Sequence, residues 1–362
     1  SPRESQTISS QKKNFTSCMK SHISVGTFNV RTLLTEDRLV ELEQALQKTD
    51  LDILGVSEVR RANENIIIRQ SNYIFYNYGT KRGINGVGFL IKKDLRQNIK
   101  YFKPISDRIV ELGINLGSRR SLNVIQVYAP TSSSSEEEVD NFYKELEETI
   151  IKVKKKTQSK LIIMGDFNSQ VGVGKKEENQ VLGMYGLGRR NQRGWKLIRF
   201  CQQQQLSIVN SFFKKRRGRR WTWQSPDGNY KNEIDFILTK NRDIIQSYEV
   251  WSNFEYHSDH RPVVCKLKID KTIPFPTKNI VEIQKTLDEE KFKSDIQNYF
   301  DKKDITVDMD VQTMYDIIEN SIKLAINNHP KTKKVESSKL SEETKELIKR
   351  REQMRRKKVK SK

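Results

Sequence analysis

Short apolar segments alternate with a few amphipathic ones from about residue 23 to residue 269, and this pattern constrains the fold more than any other feature. Segments 51–58 and 122–128 are typical of buried strands, whereas 38–48 and 136–154 have apolar residues at helical spacing. Many strands with few helices are typical of two sheets that pack face to face beneath flanking helices. The pattern therefore predicts an α+β fold, a four-layered α/β sandwich with two mostly antiparallel sheets.

The composition changes after residue 270, where the alternation of strands and helices ends. Residues 271–278 include two prolines and are typical of a linker, and residues 331–362 are rich in lysine and arginine. Segments between these two have helical periodicity. We therefore predict a disordered N-terminal segment at 1–20, one domain at 21–270, and a helical, basic C-terminal extension at 271–362.

The formal net charge of +21 at pH 7 indicates a polyanionic partner, either nucleic acid or an anionic membrane surface. Ribosomal and other lysine-rich proteins are also basic, so the charge alone does not identify the partner. No signal-peptide core is visible, no apolar run approaches the roughly 20 residues that span a bilayer, and the three cysteines are scattered. We therefore expect nucleic acid rather than a membrane as the partner. We also expect a protein of the nucleus, with the cytoplasm as the alternative, that is not secreted.

Two polar residues end predicted strands in the first part of the domain. Glu58 terminates the apolar run 52–58, where a carboxylate is not needed for packing and can bind a hard cation such as Mg²⁺ through oxygen. A helix cap or a surface glutamate is the alternative. Asn29 ends the first predicted strand, where it could equally be a turn residue.

Further polar residues follow or interrupt later strands. Asp166 and Asn168 follow an apolar strand and can face one pocket, the carboxylate accepting a proton and the amide binding a phosphate oxygen. An Asp-x-Asn turn is the structural alternative. Asp235 stands in an apolar strand and needs a polar partner. His260, one of four histidines, adjoins Asp259 and can be oriented by a carboxylate, although a lone histidine is more often structural and no Cys/His cluster has zinc-ligand spacing.

A basic cluster precedes a predicted hairpin, whose strands are 221–224 and 233–238 around a turn at 225–229. Arginines beside a hairpin suit phosphate contacts and entry into the minor groove of DNA, although a nuclear localisation signal or a solvated loop is the alternative. The candidate DNA-binding residues are Lys214, Lys215, Arg216, Arg217, Arg219, Arg220, Trp221, Trp223 and Tyr230, with Arg189, Arg190 and Arg193 as weaker candidates.

Six short motifs occur in a fixed order between residues 26 and 260. They are Gly26-Thr-Phe-Asn29-Val, Ser57-Glu58, Val127-Tyr128-Ala-Pro-Thr131, Gly165-Asp-Phe-Asn168, Ile234-Asp235-Phe-Ile and Ser258-Asp-His260. In this order the chain resembles the exonuclease–endonuclease–phosphatase superfamily. The stretch from Tyr185-Gly-Leu-Gly to Trp221-Thr-Trp resembles more narrowly the apurinic-type endonuclease of RTE-clade non-LTR retrotransposons and the craniofacial development protein 2-like group. Residues 339–352 are similar to the segment that such elements place before their reverse transcriptase.

The resemblance implies a role for each matched residue in a metal-dependent reaction. Glu58 would be the principal ligand of Mg²⁺, or of Mn²⁺ as the alternative. Asn29 would support this site, and Asp259 would contribute to metal binding. Asp166 would activate the attacking water as a general base, and Asn168 would orient the phosphate.

The remaining matched residues would stabilise the reacting phosphate. His260, paired with Asp235, would stabilise charge on the phosphate oxygens, and Tyr128 would contact the scissile phosphate or the leaving oxygen. The resemblance thus implies a Mg²⁺-dependent endonuclease that nicks double-stranded target DNA. The nick would leave a 3′-hydroxyl for target-primed reverse transcription by a reverse transcriptase that this chain does not include.

Three other functions stay open at this stage. An abasic-site repair endonuclease would use the same residues. A small-molecule phosphatase or sphingomyelinase would share the fold, but the net charge of +21 disfavours it. A domesticated or inactive remnant would bind nucleic acid without cutting it, and the intact motif set disfavours that alternative.

Overall fold

The computed structural model describes residues 18–69, 71–117, 120–154, 159–275, 289–301, 317 and 321. The chain divides into two units, Ser1–Thr277 and Lys278–Lys362. Most of the predicted N-terminal segment and most of the predicted extension, including its basic tail at 331–362, lie outside the described residues.

In its described part the first unit contains more strand than helix. The described strands are β1 (Cys18–Asn29), β2 (Ile53–Ser57), β3 (Asn65–Ile68), β4 (Tyr73–Tyr78), β5 (Val87–Lys92), β6 (Ile99–Ser106), β7 (Ile109–Asn115), β8 (Ser121–Tyr128), β9 (Ser159–Asp166), β10 (Ser207–Ile208), β11 (Trp223–Gln224), β12 (Lys231–Asn232), β13 (Asp235–Thr239), β14 (Ile245–Val250) and β15 (Val263–Phe275). The described α-helices are α1 (Glu36–Gln47), α2 (Glu136–Lys154), α3 (Gln192–Gln204) and, in the second unit, α4 (Glu289–Asp301).

The strands form two large sheets and one small hairpin. The seven-stranded sheet has the order β14-β15-β1-β2-β5-β4-β3, and the six-stranded sheet has the order β10-β13-β9-β8-β7-β6. Among the described residues each large sheet contains one parallel pair, β1 with β2 and β8 with β9, and its other pairs are antiparallel. β11 and β12 form the separate hairpin.

Buried apolar residues fill three interfaces and so define four layers. Val25 and Phe89 of one sheet share a core with Val124 and Met164 of the other. The outer face of the seven-stranded sheet is covered by α1, and the outer face of the six-stranded sheet by α2 and α3. The two sheets, mostly antiparallel and flanked by helices, confirm the predicted four-layered sandwich.

Amphipathic spacing and side-chain caps explain where the covering helices form. Leu42 and Leu46 lie one turn apart on α1 and are fully buried against the sheet, which contributes about 1.5–3 kcal/mol for each side chain. Ser135 Oγ accepts a hydrogen bond from the Glu138 N–H (3.2 Å) at the start of α2. Asn191 Oδ1 accepts from the Gly194 N–H (2.7 Å) at the start of α3.

The residues that face inward between the sheets change from apolar to polar toward one end of the sandwich. On β1 the series is Ile23, Val25, Thr27 and Asn29, and on β8 it is Leu122, Val124, Gln126 and Tyr128. Gln126 Nε2 donates to Thr27 Oγ1 (3.0 Å) and links the two sheets below this end. Because successive inward residues alternate along a strand, the sheets present a polar cluster at their shared upper edge.

The predicted hairpin forms with a different second strand. Trp223 and Gln224 of β11 pair with Asn232 and Lys231 of β12, not with segment 233–238. That segment supplies β13, which pairs with β9 in the six-stranded sheet. The pairing predicted from the sequence was wrong because β13 carries buried apolar residues on both faces, as a central sheet strand does and an exposed hairpin strand cannot.

Candidate active site

Two pairs of parallel strands bring their carboxyl ends to the same edge of the sandwich. Asn29 ends β1, and Glu58 directly follows β2, its parallel neighbour. Tyr128 and Asp166 end the parallel strands β8 and β9 and lie opposite each other in register. Asp235 begins the antiparallel strand β13 and is in register with Asp166. Five candidate residues from both sheets therefore meet at one place.

Asn29 connects the two sheets at this edge. Its Nδ2 donates to Glu58 Oε1 (2.9 Å) and to Asp166 Oδ2 (3.0 Å), while its Oδ1 accepts from the Arg31 N–H (2.9 Å). Tyr128 Oη also donates to Glu58 Oε1 (3.2 Å). Because Asn29 directs its amide nitrogen at both carboxylates, it orients the Glu58 and Asp166 oxygens. Its own oxygen does not lie beside them as a further metal ligand.

Glu58 and Asn168 have strained backbones. Their φ angles are 55° and 47°, in the left-handed region that residues other than glycine seldom adopt. Arg60 forms an ion pair with Glu58 Oε2 (2.7 Å), and the Asn168 N–H donates to Asp166 Oδ1 (2.9 Å). Asn168 Nδ2 also donates to the backbone oxygen of Ala129 (2.8 Å), which fixes its amide beside Asp166. These contacts hold the two residues in their strained conformations, and such strain is common at functional sites.

Asp166 is a buried carboxyl group that is difficult to ionise. Burial raises its pKa to about 7, and the negative charge of Asp235 acts in the same direction. The charge of His260 and the hydrogen bond from Asn29 oppose this increase. A carboxylate with a pKa near neutrality is suited to accept a proton during a reaction.

His260 is held between two carboxylates. Its Nδ1 lies 2.9 Å from Asp235 Oδ2 and its Nε2 lies 3.8 Å from Asp166 Oδ2. Burial lowers the pKa of His260, but the charge and the hydrogen bond of Asp235 outweigh burial and raise this pKa to about 9. The imidazole is therefore a cation at neutral pH, and Asp235 fixes its orientation.

Tyr128 remains a hydrogen-bond donor under ordinary conditions. Burial raises the pKa of its hydroxyl well above the usual range, and the nearby charges of Glu58 and Asp166 raise it further. The guanidinium carbon of Arg108 lies 5.2 Å from the centre of the Tyr128 ring, and Arg108 also donates to the Tyr128 backbone oxygen (3.3 Å). The ring is thus fixed with its O–H directed at Glu58.

Asp259 belongs to a segment that is hydrogen-bonded to both Asn29 and the hairpin. Ser258 Oγ donates to the Asn29 backbone oxygen (2.8 Å) and lies 3.5 Å from Asp259 Oδ1. Trp223 Nε1 donates to Asp259 Oδ2 (3.2 Å). The structure therefore joins seven of the eight residues that the sequence placed in catalysis and metal binding by direct contacts, and Asp259 lies next to them with its carboxylate held by Trp223.

Two sets of atoms in this cluster have the chemistry to hold a cation. Glu58 Oε1 and Asp166 Oδ2 both accept from the side-chain amide nitrogen of Asn29, and carboxylate oxygens are the ligands that Mg²⁺ and Mn²⁺ prefer. One ligand atom each of Asp166, Asp235 and His260 also lie within 4.8 Å of one another. The Glu58 and Asp166 oxygens therefore fit a divalent cation such as Mg²⁺. The second set would bind a cation only after the His260 imidazolium had lost a proton.

The candidate DNA-binding arginines differ sharply in exposure. Arg220 is 2% exposed, and its guanidinium contacts Glu233 Oε1 (3.0 Å) and the backbone oxygens of Phe213 and Asn210 (3.0 Å each). A phosphate cannot reach a guanidinium that is buried and paired in this way. The expectation that Arg220 binds DNA is therefore corrected to a structural role.

Two of the weaker candidates are also engaged by acidic side chains. Arg190 makes two hydrogen bonds to Glu178 (2.6 and 2.7 Å), and Arg193 pairs with Glu136 (2.7 Å). Arg189 is exposed. Within the basic loop the exposed or half-exposed cations are Lys214, Lys215, Arg216, Arg217 and Arg219.

The aromatic candidates lie on or beside the hairpin. Tyr230 is 67% exposed at its tip. Trp221 is half-buried, with the Arg261 guanidinium 3.1 Å and the Lys231 ammonium 5.0 Å from its ring centre. Trp223 directs its indole N–H to Asp259, so the two alternating tryptophans have different surroundings.

Sequence reasoning missed three residues that shape this cluster. Arg60 pairs with Glu58, Arg108 supports Tyr128, and Thr222 Oγ1 accepts from the Asp235 N–H (3.1 Å). Arg60 stands two positions after a candidate ligand, and this proximity was a usable signal. Thr222 stands between two tryptophans, but nothing in that spacing indicates a contact with Asp235.

A two-sheet sandwich that gathers carboxylates, a charged histidine and a tyrosine at its strand ends has the arrangement of a hydrolase of the nuclease and phosphatase class. The chain belongs to the Endonuclease/Exonuclease/phosphatase family, whose sequence profile matches residues 26–260. In the part of the chain that the structure describes, no helix is long and apolar enough to cross a membrane.

Known relatives and a solved structure agree with this assignment. Craniofacial development protein 2 of Bos taurus is 33% identical over 264 residues, which cover 72% of this chain and 44% of that protein. The protein of the same name from Tragulus javanicus is 32% identical over 264 residues, with coverage of 72% and 45%. The match thus spans less than half the length of these relatives. An AP endonuclease from Leishmania major has the same fold, with a TM-score of 0.54, 13% identity, and coverage of 68% of this chain and 88% of that one.

Proposed function

We propose that this protein is a Mg²⁺-dependent DNA endonuclease, with Mn²⁺ as an alternative cation, that hydrolyses one phosphodiester bond and leaves a 3′-hydroxyl. The observation that carries the proposal is the convergence of Glu58, Asp166 and the His260–Asp235 pair at one edge of the sandwich. These groups match the needs of phosphodiester hydrolysis, which are an aligned water, positive charge at the phosphate and support for the leaving oxygen.

Asp166 is the general base in this mechanism. A water molecule attacks the phosphorus, its proton passes to an Asp166 carboxylate oxygen, and the bond between phosphorus and the 3′ oxygen breaks. The released 3′ oxygen takes a proton from solvent water and becomes the 3′-hydroxyl, while the other strand end keeps a 5′-phosphate. A pKa of about 7 suits this transfer because the carboxylate is both available and basic near neutral pH. Asn168, whose amide is fixed beside Asp166, orients the phosphate.

His260 and Tyr128 stabilise the charge that develops on the phosphate. The imidazolium, held by Asp235, faces Asp166 through Nε2 and can donate to a non-bridging phosphate oxygen. Tyr128 donates its O–H to the scissile phosphate or to the 3′ oxygen that leaves. Because its pKa is raised, Tyr128 stays protonated and donates a hydrogen bond without transferring its proton.

Glu58 would hold the divalent cation, with Asn29 orienting its carboxylate and Asp259 contributing from the facing segment. When bound, the cation would supply positive charge to the phosphate oxygens. Arg60 pairs with Glu58 Oε2, and Asn29 and Tyr128 donate to Oε1, so the carboxylate is held in one orientation at the site.

The DNA would lie across this edge and over the basic loop at 214–219. The proposed contacts are Lys214, Lys215, Arg216, Arg217, Arg219, Arg189, Trp221 and Tyr230. Phosphate contacts from the cations would give sequence-independent affinity, and the hairpin would approach the groove. Arg190, Arg193 and Arg220 are left out because acidic side chains already hold them.

The resemblance to RTE-clade elements suggests the biological purpose of the nick. A 3′-hydroxyl in chromosomal DNA would prime a reverse transcriptase in the nucleus. Repair of abasic sites uses the same bond cleavage, so the choice between the two functions is a matter of substrate. Binding of nucleic acid without cleavage is a third alternative, and one experiment distinguishes all three.

The experiment compares three substrates with and without a cation. Supercoiled plasmid, an intact duplex and the same duplex with one abasic site are incubated with the protein in Mg²⁺, Mn²⁺ or EDTA. We expect cation-dependent nicking of the plasmid and a product that a DNA polymerase extends without phosphatase treatment. Asp166→Asn should abolish cleavage, whereas Asp37→Asn, an exposed carboxylate on α1, should not. Salt-sensitive binding without cleavage would reject the enzyme, and preference for the abasic duplex would favour repair.

A further inference from the structure

The short segment 222–224, which includes the first strand of the hairpin, is hydrogen-bonded to the candidate active site on two sides. On one side Thr222 Oγ1 accepts from the N–H groups of Asp235 (3.1 Å) and Ile234 (3.0 Å). On the other side Trp223 Nε1 donates to Asp259 Oδ2 (3.2 Å), and the Gln224 N–H donates to the Asp259 backbone oxygen (2.9 Å). Segment 222–224 thus connects the residue that orients His260 with the residue that follows Ser258.

Backbone contacts make this connection rigid. The Arg261 N–H donates to the Thr222 backbone oxygen (2.6 Å), and Trp223 forms an isolated antiparallel bridge with His260. Segments 222–224 and 259–261 therefore behave as two short paired strands. A shift of one would change the position of the other, because each is held by several hydrogen bonds.

We infer that Trp223 is a positioning residue of the active site, which acts through Asp259 and not by stacking on a DNA base. The inference rests on the proposed nuclease function. The indole N–H holds one carboxylate oxygen of Asp259, and the other oxygen lies toward Ser258, whose hydroxyl contacts Asn29. The indole N–H can only donate, and its ring is half-buried. It therefore fixes the Asp259 carboxylate in one orientation.

The same hydrogen bonds connect the hairpin with the catalytic cluster. Tyr230, at the tip, is 67% exposed, whereas β11 at its base contacts Asp259 and His260 directly. A DNA strand bound to the hairpin would therefore affect the position of the Asp259 carboxylate. Trp223 accordingly contributes to turnover more than to DNA affinity.

The test removes the indole N–H and keeps an aromatic ring. Trp223→Phe is compared with Trp195→Phe, an exposed tryptophan on α3 outside the proposed site. For Trp223→Phe we expect kcat to fall about tenfold, the value of one hydrogen bond to a charged group, with KM for the duplex changed less than about twofold. Mn²⁺ binding to the metal-free protein, measured by calorimetry, should weaken, while Trp195→Phe should leave all three quantities unchanged.

A double-mutant cycle identifies the residue through which Trp223 acts. In an Asp259→Ala background, Trp223→Phe should change kcat by less than about twofold, because the acceptor is already gone. The Nε1–H resonance of Trp223 should also move on Asp259→Ala, while those of Trp195 and Trp251 stay in place. This second measurement leaves Trp223 intact and stands even where Trp223→Phe folds poorly.

The outcomes separate this inference from the proposed function. An unmutated protein that shows no cation-dependent nicking contradicts the proposed function itself. An active protein in which Trp223→Phe lowers kcat equally with and without Asp259 contradicts the inference alone. A large increase in KM with kcat preserved would return Trp223 to the set of direct DNA contacts and also overturn the inference.

Discussion

His260 Nδ1 lies 2.9 Å from Asp235 Oδ2, and the side chain of Asp235 is fully buried. A buried carboxylate requires a charged or hydrogen-bonding partner, and the imidazole supplies both. The pair leaves Nε2 facing Asp166, at 3.8 Å, where the second carboxylate adds to the attraction. The protonation state of this histidine is therefore set by Asp235.

The first prediction concerns the Asp235→Asn variant. In metal-free protein the His260 pKa of about 9 should fall toward or below its ordinary value of 6.5, because burial then acts with less opposing charge. The pKa is measured by NMR titration of the ring, with the resonance assigned by its loss in His260→Gln. His22 serves as an internal control because it lies near the surface. A pKa that stays near 9 would show that Asp235 does not control the imidazole.

The second prediction is that metal-free protein loses stability as the pH rises. The Asp166 carboxyl has a pKa of about 7 in the folded protein and an ordinary value of 3.8, so its contribution to stability is complete below about pH 3.8 and is lost as the pH rises through 7. The His260 contribution is complete below about 6.5 and is lost as the pH rises through 9. The free energy of unfolding in EDTA should therefore decline from pH 5 to pH 9, measured by urea denaturation. His260→Gln should flatten the decline above pH 6.5, and equal slopes in both proteins would contradict the assignment.

The third prediction concerns Glu58. Glu58→Gln keeps the hydrogen-bond acceptor for Asn29 and Tyr128 but removes the charge that a cation needs. We expect at least about a hundredfold loss of Mg²⁺-dependent cleavage, the scale on which a charge-stabilising group contributes, with the melting temperature little changed. Mn²⁺ affinity should fall in parallel. Glu64→Gln, at an exposed position, is the matched control, and equal cation affinity in both variants would move the site to the Asp166, Asp235 and His260 group.

The strand-end positions of Asn29, Glu58 and Asp166 were predictable because apolar runs visibly end at each of them. Strands that lie side by side bring such ends to one edge of a sheet, so the cluster follows once the pairing is known. The pairing itself depends on contacts between segments more than a hundred residues apart, such as the Asn29–Asp166 hydrogen bond. Local sequence does not encode that register, and the same limitation explains the wrong partner assigned to β11.

The basic run 214–220 illustrates a second limit. Charge and spacing do not distinguish its cations from one another. In the structure, however, Arg220 pairs with Glu233, two residues before β13, and the neighbouring cations remain at the surface. Which cation is buried depends on where the chain folds back, and no period in the run distinguishes one arginine from the next. The two tryptophans that follow differ for the same reason.

The fourth prediction separates the buried arginine from its neighbours by stability. Arg220→Ala leaves the 2% exposed Glu233 carboxylate without its main partner, and a broken buried ion pair costs about 3–5 kcal/mol. Arg217→Ala, at an exposed position, should change the free energy of unfolding by less than about 0.5 kcal/mol. Urea denaturation measures both values. An Arg220→Ala protein as stable as the parent would show that Glu233 finds another partner, and would return Arg220 to the candidates for DNA contact.

The fifth prediction concerns DNA affinity and its dependence on salt. Replacement of Lys214, Arg216 and Arg217 by alanine should weaken binding to any duplex equally, because phosphate contacts carry no sequence information. Each lost contact lowers the slope of log K against log salt by about 0.9, so the triple variant should lose about 2.7 from the slope. Fluorescence anisotropy between 50 and 200 mM salt measures this change, with melting temperature as the check on folding. Arg190→Ala is the control, since its guanidinium already pairs with Glu178, and it should leave the slope unchanged. A loss of about 0.9 in this variant would show instead that Arg190 contacts a phosphate.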